Sequence, residues 1–88
     1  MTIKPKFILI AVAQLDCTSG DGVTAHARAF TTEKEAAEWL QGDYNTEAEW
    51  HDWTPMNISE KDIYDGMVIR SPAGDSDHDY AWKVIFQY

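Results

Sequence analysis

The sequence predicts an α+β fold: a small antiparallel sheet of about four strands, in the order β-β-α-(α)-β-β, with a helical segment packed on one face. Residues 7–30 carry strand-like patterns, residues 32–64 carry helical spacing with helix-capping pairs, and residues 80–88 alternate again. The chain has 88 residues, the length of one small domain, so we expect a single domain over 1–88.

Two strands are predicted at the start of the chain. Residues 7–15 are apolar on both alternating faces, a pattern typical of a central strand that is covered on both sides. Residues 16–22 are dense in turn formers, and residues 23–30 alternate small apolar side chains with polar or aromatic ones. This arrangement predicts a hairpin of two paired strands.

The period changes to that of a helix near residue 32. Thr32 and Glu35 have the spacing of a capping box, in which each side chain satisfies a backbone N–H at the helix start. Four apolar residues follow at helical spacing: Ala36, Ala37, Trp39 and Leu40. Gly42 is well placed to end the helix, so we expect a helix of about ten residues.

Thr46 and Glu49 repeat the capping spacing and predict a short second helix through Trp53, ending before Pro55. Residues 59–64 predict one more helical turn, and residues 65–66 predict a chain reversal.

The C-terminal part of the chain predicts two further strands. The first is a short strand at residues 67–71, followed by a polar loop at residues 72–79. Residues 80–88 alternate, with Trp82, Val84, Phe86 and Tyr88 on one face and Ala81, Lys83, Ile85 and Gln87 on the other.

The net charge of −8 is concentrated in the helical middle. Residues 33–65 hold ten acidic side chains against Lys34 and Lys61, whereas acids and bases balance in the rest of the chain. Binding phosphates needs clustered cations, so nucleic acid is disfavoured as a direct ligand. A field of one sign accelerates encounter with an oppositely charged partner, although acids also favour solubility.

Two tryptophans accompany these acids. Trp50 and Trp53 are spaced i, i+3, which predicts a shared face of the short helix. They either cap the sheet as core or stand exposed as anchors for a partner. Under the second interpretation, the predicted partner-binding residues are Glu35, Glu38, Asp43, Glu47, Glu49, Trp50, Asp52 and Trp53.

Metal binding is not predicted. The loop containing Asp75, Asp77 and Asp79 has the spacing that opens a calcium-binding EF-hand loop. Tyr80 stands where that loop needs glycine and Phe86 where it needs glutamate, so a solvated hairpin loop is the preferred interpretation.

No catalytic residues and no cofactor are predicted. Cys17 is the only cysteine, and no sequence signature places His26, His51 or His78 beside it as a base or as zinc ligands. One thiol cannot form an intramolecular disulfide, which favours a reducing compartment.

The N-terminus superficially resembles a signal peptide, because Lys4 and Lys6 precede seven apolar residues. This apolar run is far shorter than the roughly 20 residues of a membrane span, and no typical cleavage site follows it. We therefore expect a cytoplasmic protein that does not enter a membrane.

A strand that leads into a helix, as residues 30–40 do, in a small acidic chain without catalytic residues resembles phage-encoded inhibitors of host defence, including anti-CRISPR proteins. The resemblance implies a stoichiometric inhibitor that covers a basic nucleic-acid channel on a host complex, with carboxylates in place of phosphates. The leading hypothesis is accordingly a non-enzymatic protein that docks through residues 33–65 onto a basic protein surface. The alternative is an assembly subunit or homodimer that pairs through the exposed face or edge of its strand 80–88.

Overall fold

The α+β fold is confirmed. The computed structural model describes residues 5–16, 22–71 and 78–88. Its elements in chain order are β1 (Phe7–Asp16), β2 (Gly22–Phe30), α1 (Glu33–His51), α2 (Glu60–Tyr64), β3 (Val68–Arg70) and β4 (His78–Gln87). The strands form one sheet in the order β2-β1-β4-β3, in which every neighbouring pair is antiparallel.

The core lies between the sheet and the helices. Three residues of β1 face it, Ile8, Ile10 and Val12, and each is at most 6% exposed. The register sets Val12 opposite Trp82 of β4, which is 1% exposed. The helices supply the opposing layer, in which the buried residues are Ala36, Ala37, Leu40, Tyr44, Ala48 and Ile63.

The predicted first and second helices are one helix, so the break predicted at Gly42 is wrong. Buried positions continue past the glycine from Leu40 to Tyr44 and Ala48, and this single apolar stripe holds 19 residues in one helix. The Thr46 hydroxyl donates to the Gly42 carbonyl at 2.8 Å instead of capping a new helix. A glycine inside a helix costs about 1 kcal/mol, less than the packing of the stripe provides.

The two ends of α1 are set by local chemistry. Thr32 is the N-cap as predicted, and its hydroxyl accepts from the Glu35 backbone N–H at 3.2 Å. Asp52 ends the helix with φ 62°, and its backbone N–H donates to the Ala48 carbonyl. Trp53 therefore lies beyond the helix, and the shared helical face predicted for Trp50 and Trp53 is wrong.

Side chains of α1 hold the segment that leads to α2. The Asn45 side-chain amide donates to the Met56 carbonyl at 3.0 Å and accepts from the Met56 backbone N–H at 2.8 Å. Gln41 accepts from the backbone N–H of Ile58, also at 2.8 Å. These three hydrogen bonds let a short irregular segment lie close to the helix.

The predicted turn at residues 59–64 is confirmed as α2, which a complete capping box starts. The Ser59 hydroxyl accepts from the Asp62 backbone N–H at 3.2 Å, and the Asp62 carboxylate accepts from the Ser59 backbone N–H at 2.9 Å. Two hydrogen bonds lower the pKa of Asp62 below its usual value of 3.8. The larger effect comes from the backbone N–H of Ser59, and the smaller from the Ser59 hydroxyl. Gly66 then reverses the chain with φ 74°, a conformation that favours glycine.

The C-terminal strand is an inner strand of the sheet. β4 pairs with β1 along its whole length and with β3 at residues 81–83. Backbone bonds from Ser71 to Tyr80 and from Val84 to Met67 extend the β3 side. The part of the alternative hypothesis in which β4 pairs through a free edge is therefore wrong for residues 80–84.

The sheet has two unequal faces. Both α1 and α2 lie on the face that contains Ile10 and Trp82, and no described element lies on the other. The cover predicted on both sides of β1 is therefore not provided within the described part of the chain, which supplies only one helical layer. We call the uncovered side the open face; its described side chains are Phe7, Leu9, Ala11, Ala13, Ala25, Ala27, Ala29, Val68, Arg70, Ala81, Lys83, Ile85 and Gln87.

Candidate docking surface

The predicted acidic surface is divided by the structure into acids that support the fold and acids that face solvent. Asp43 belongs to the first kind, because its carboxylate accepts from the Trp82 indole N–H at 2.8 Å in a part-buried position. Asp62 caps α2, and Asp65 pairs with Lys61 at 2.6 Å, a hydrogen bond that raises the pKa of Lys61. Asp43 and Asp62 therefore support the fold directly, whereas the exposed pair of Lys61 and Asp65 adds little.

Three of the remaining acids, Glu47, Glu49 and Asp52, lie near one exposed tryptophan at the C-terminal end of α1. Trp50 is 82% exposed, the most exposed large apolar side chain that the structure describes. Glu49 and Asp52 beside it are exposed. Glu47 lies one turn earlier, where its carboxylate is 3.6 Å from the His51 ring nitrogen. We call Glu47, Glu49, Trp50 and Asp52 the Trp50 patch.

The Trp50 patch places negative charge where it opposes helix stability. The C-terminal end of a helix carries partial negative charge, so acids there cost roughly 0.3–1 kcal/mol each. Asp52 also holds φ 62°, a left-handed conformation that glycine adopts at less cost than aspartate. Helix energetics therefore do not account for the acids at this end of α1.

Trp53 is placed differently from Trp50, although both were predicted to bind a partner. It is half-buried and packs against the core. Its ring lies 4.8 Å from the His51 ring in a stacked arrangement, 5.9 Å from Tyr44 and 5.8 Å from Tyr80. These ring contacts hold the C-terminal end of α1, which carries the Trp50 patch, against Tyr80 of the sheet.

Glu35 and Glu38 lie on the solvent side of the first half of α1, and both are exposed. Glu38 and Glu49 are eleven residues apart, which is three helical turns and about 16 Å along the axis. Glu38 and Glu49 therefore share a side of the helix without touching. Trp39 does not join these acids, because its ring packs on the Phe30 ring at 5.6 Å between centroids. The guanidinium of Arg28 also lies over the Trp39 ring, 5.6 Å from its centroid.

The open face of the sheet is the feature that the sequence analysis missed. Its largest apolar side chains remain in contact with solvent, with exposures of 44% for Phe7, 59% for Val68 and 39% for Ile85. The signal was present in β1, whose residues are apolar on both faces, in a chain with a single helical segment.

Cys17 and the loop of Asp75 and Asp77 lie outside the described residues. Within residues 5–16, 22–71 and 78–88, no three His, Cys, Asp or Glu side chains are grouped to hold a metal ion. Neither described helix combines the length and the apolar character that crossing a membrane requires.

Comparisons with protein-family models, with curated proteins and with solved structures find no match to this chain.

Proposed function

We propose that this protein is a non-enzymatic binding protein that docks onto a basic protein surface through the Trp50 patch. The observation that carries the proposal is a tryptophan that is 82% exposed, with the exposed acids Glu49 and Asp52 within two residues of it in the chain. Solvation of so large an apolar side chain is unfavourable, and tryptophan is enriched among residues that dominate binding energy. The indole supplies the anchor, and the acids select the partner.

The charge distribution supports a cationic partner. The acids of residues 33–65 outnumber Lys34 and Lys61 and lie in the helical layer on one side of the sheet, so that side carries a net negative charge. The field of such a charge raises the rate of encounter with a basic surface and rejects acidic ones. Glu35 and Glu38 extend the field along α1 beyond the contact itself.

The class of partner follows from the same chemistry. A surface that binds nucleic acid is rich in Lys and Arg, and its cations accept carboxylates in place of phosphates. We therefore propose a nucleic-acid-binding protein or complex of the host as the partner, with this chain as its inhibitor. This proposal agrees with the resemblance to phage-encoded inhibitors of host defence.

Affinity capture from an extract of the native host tests the proposal with matched variants. The test variant combines Trp50→Ala with Glu49→Lys. The control variant combines Tyr64→Ala with Glu60→Lys. These two changes remove another exposed aromatic side chain and another exposed acid, both in α2, where Tyr64 is 65% exposed. Each variant has the same change in net charge.

We expect a basic protein to be captured by the wild type and by the control, and to be lost with the test variant. Capture should weaken as salt rises, because exposed charges are screened within about 8 Å at physiological ionic strength. Equal capture by all three proteins, or capture that salt does not weaken, would contradict docking through this patch.

A further inference from the structure

We infer that the open face of the sheet binds the open face of a second copy of this chain, forming a face-to-face homodimer. This interface lies on the opposite side of the sheet from the Trp50 patch, so it does not depend on the proposed function. Its described side chains are apolar apart from Arg70, Lys83 and Gln87.

The pattern of β1 indicates that a second layer is required. Strands with apolar side chains on both faces occur where both faces are covered. On the helix side of β1, Ile8, Ile10 and Val12 are buried, whereas Leu9 and Ala11 on the open face are only half-buried. The described part of the chain has no further helix or strand for that face, and a second copy can supply this layer.

The charge distribution favours stacking of two chains through their open faces over contact between their helical layers. Two molecules of net charge −8 repel each other if their helical layers meet. On the open face, the charged side chains that the structure describes are two cations, Arg70 and Lys83. Stacking through this face leaves the two acidic layers outermost, separated by three layer spacings of about 10 Å each. This separation exceeds the screening length of about 8 Å.

The shape of the face suits sheet-on-sheet packing. Small side chains predominate near its centre, with Ala11, Ala13 and Ala81 flanked by Ala25 and Ala27 of β2. Phe7, Val68 and Ile85 stand around them and remain 39–59% exposed. A second sheet can therefore approach closely at the centre, and the larger side chains can pack at the margins.

The area available is sufficient for a dimer of modest affinity. Strands about 4.8 Å apart with a rise of about 3.3 Å per residue give a footprint of roughly 500 Å² for this sheet. Two copies therefore cover about 1,000 Å², at the lower limit for a specific interface. Arg70 and Lys83 lie towards the β3 side, where long side chains can keep their charged ends in water.

Sedimentation equilibrium of the purified chain between about 10 µM and 1 mM tests the inference over the range of a modest affinity. We expect the mass to rise with concentration from 10.0 kDa to twice that value. We also expect association to be at least as strong at high salt, since screening reduces repulsion between the acidic layers. A monomer at all concentrations, or a dimer that high salt dissociates, would overturn the inference.

Matched substitutions locate the interface. Ala27→Lys and Ile85→Lys each bury an unpaired charge in the proposed contact, so each should weaken dimerisation by about 100-fold or more. His26→Lys is the control, because His26 is also exposed and neighbours Ala27 on β2 but faces the other way. Circular dichroism establishes that each variant is folded. A dimer that withstands both open-face substitutions, or that His26→Lys dissociates equally, rules out this interface.

Discussion

The two sides of this small sheet differ in what covers them and in the charge that they carry. On the helix side, Ile10, Leu40 and Trp82 are at most 1% exposed. The outer surface of the helices on this side presents Trp50 and nearby carboxylates to solvent. The open face presents apolar side chains and two described cations directly to solvent. The two sides therefore suit the two contacts that we propose, a salt-sensitive one through α1 and an apolar one through the sheet.

The largest effect should distinguish the two faces by burial. Ile10 and Ile85 occupy neighbouring strands on opposite faces, with exposures of 0% and 39%. Ile10→Ala should lower the free energy of unfolding by about 2–5 kcal/mol, because it leaves a cavity in the core. Ile85→Ala should cost less than about 1 kcal/mol in the monomer, because water already reaches this side chain.

Urea denaturation at a concentration where the chain is monomeric measures both values. At higher concentration the cost of Ile85→Ala should grow, because dimerisation stabilises the folded state by mass action. Equal costs for the two substitutions in the monomer would contradict the difference in burial between Ile10 and Ile85.

The second effect separates structural acids from docking acids within the helical layer. Asp43→Leu should destabilise the fold by about 1–3 kcal/mol, because the Trp82 indole N–H loses its part-buried acceptor. Asp43→Asn keeps an acceptor oxygen and should cost less than about 1 kcal/mol. Thermal unfolding of the two variants checks the order, and a leucine variant as stable as the asparagine variant would contradict the structural role.

The features that the sequence could predict are those that depend on interactions between residues close together in the chain. Capping pairs and turn glycines act within four residues, so the helix start at Thr32, the helical turn of residues 59–64 and the reversal at residues 65–66 were predicted correctly. Gly42 and Thr46 carried equally local signals that were overruled, because the apolar stripe of α1 packs on the sheet over its full length. Local rules could not include that tertiary gain.

The candidate site shows the same division. The accumulation of acids near Trp50 was evident from the order of residues alone. The difference between Trp50 and Trp53 was not, because it depends on where α1 ends and on rings contributed by Tyr44 and Tyr80. Contacts between residues distant in the chain decide which of two adjacent tryptophans is buried.

A smaller effect, of opposite sign, should appear at the end of α1. Asp52→Gly should raise the free energy of unfolding by about 1 kcal/mol, because glycine adopts φ 62° without strain and the acid no longer opposes the helix dipole. The same variant should capture less of the partner. Chemical denaturation and the capture experiment together check this pairing; a less stable variant, or one that captures fully, would contradict the assignment of Asp52 to docking.

The smallest effect concerns Asp62 and depends on pH. Because the folded state lowers the pKa of Asp62 below 3.8, its stabilisation is complete above that pH and is lost as the pH falls through the folded value. Asp62→Asn should therefore lower the urea midpoint at neutral pH, and the difference from the wild type should close below about pH 3.8. A difference that persists in acid would exclude the charge as its cause.

Selective quenching of Trp50 fluorescence tests the central claim most directly, because it needs neither the partner nor a dimer. Trp82 is buried and Trp39 and Trp53 are half-buried, so Trp50 should account for most of the quenchable emission. At low ionic strength, caesium should quench it more effectively than iodide, because the carboxylates around it attract cations. The difference should disappear in Trp50→Phe, and should shrink in Glu49→Lys and at high salt. Equal quenching by the two ions, or preferential quenching by iodide, would contradict an exposed tryptophan in an anionic docking surface.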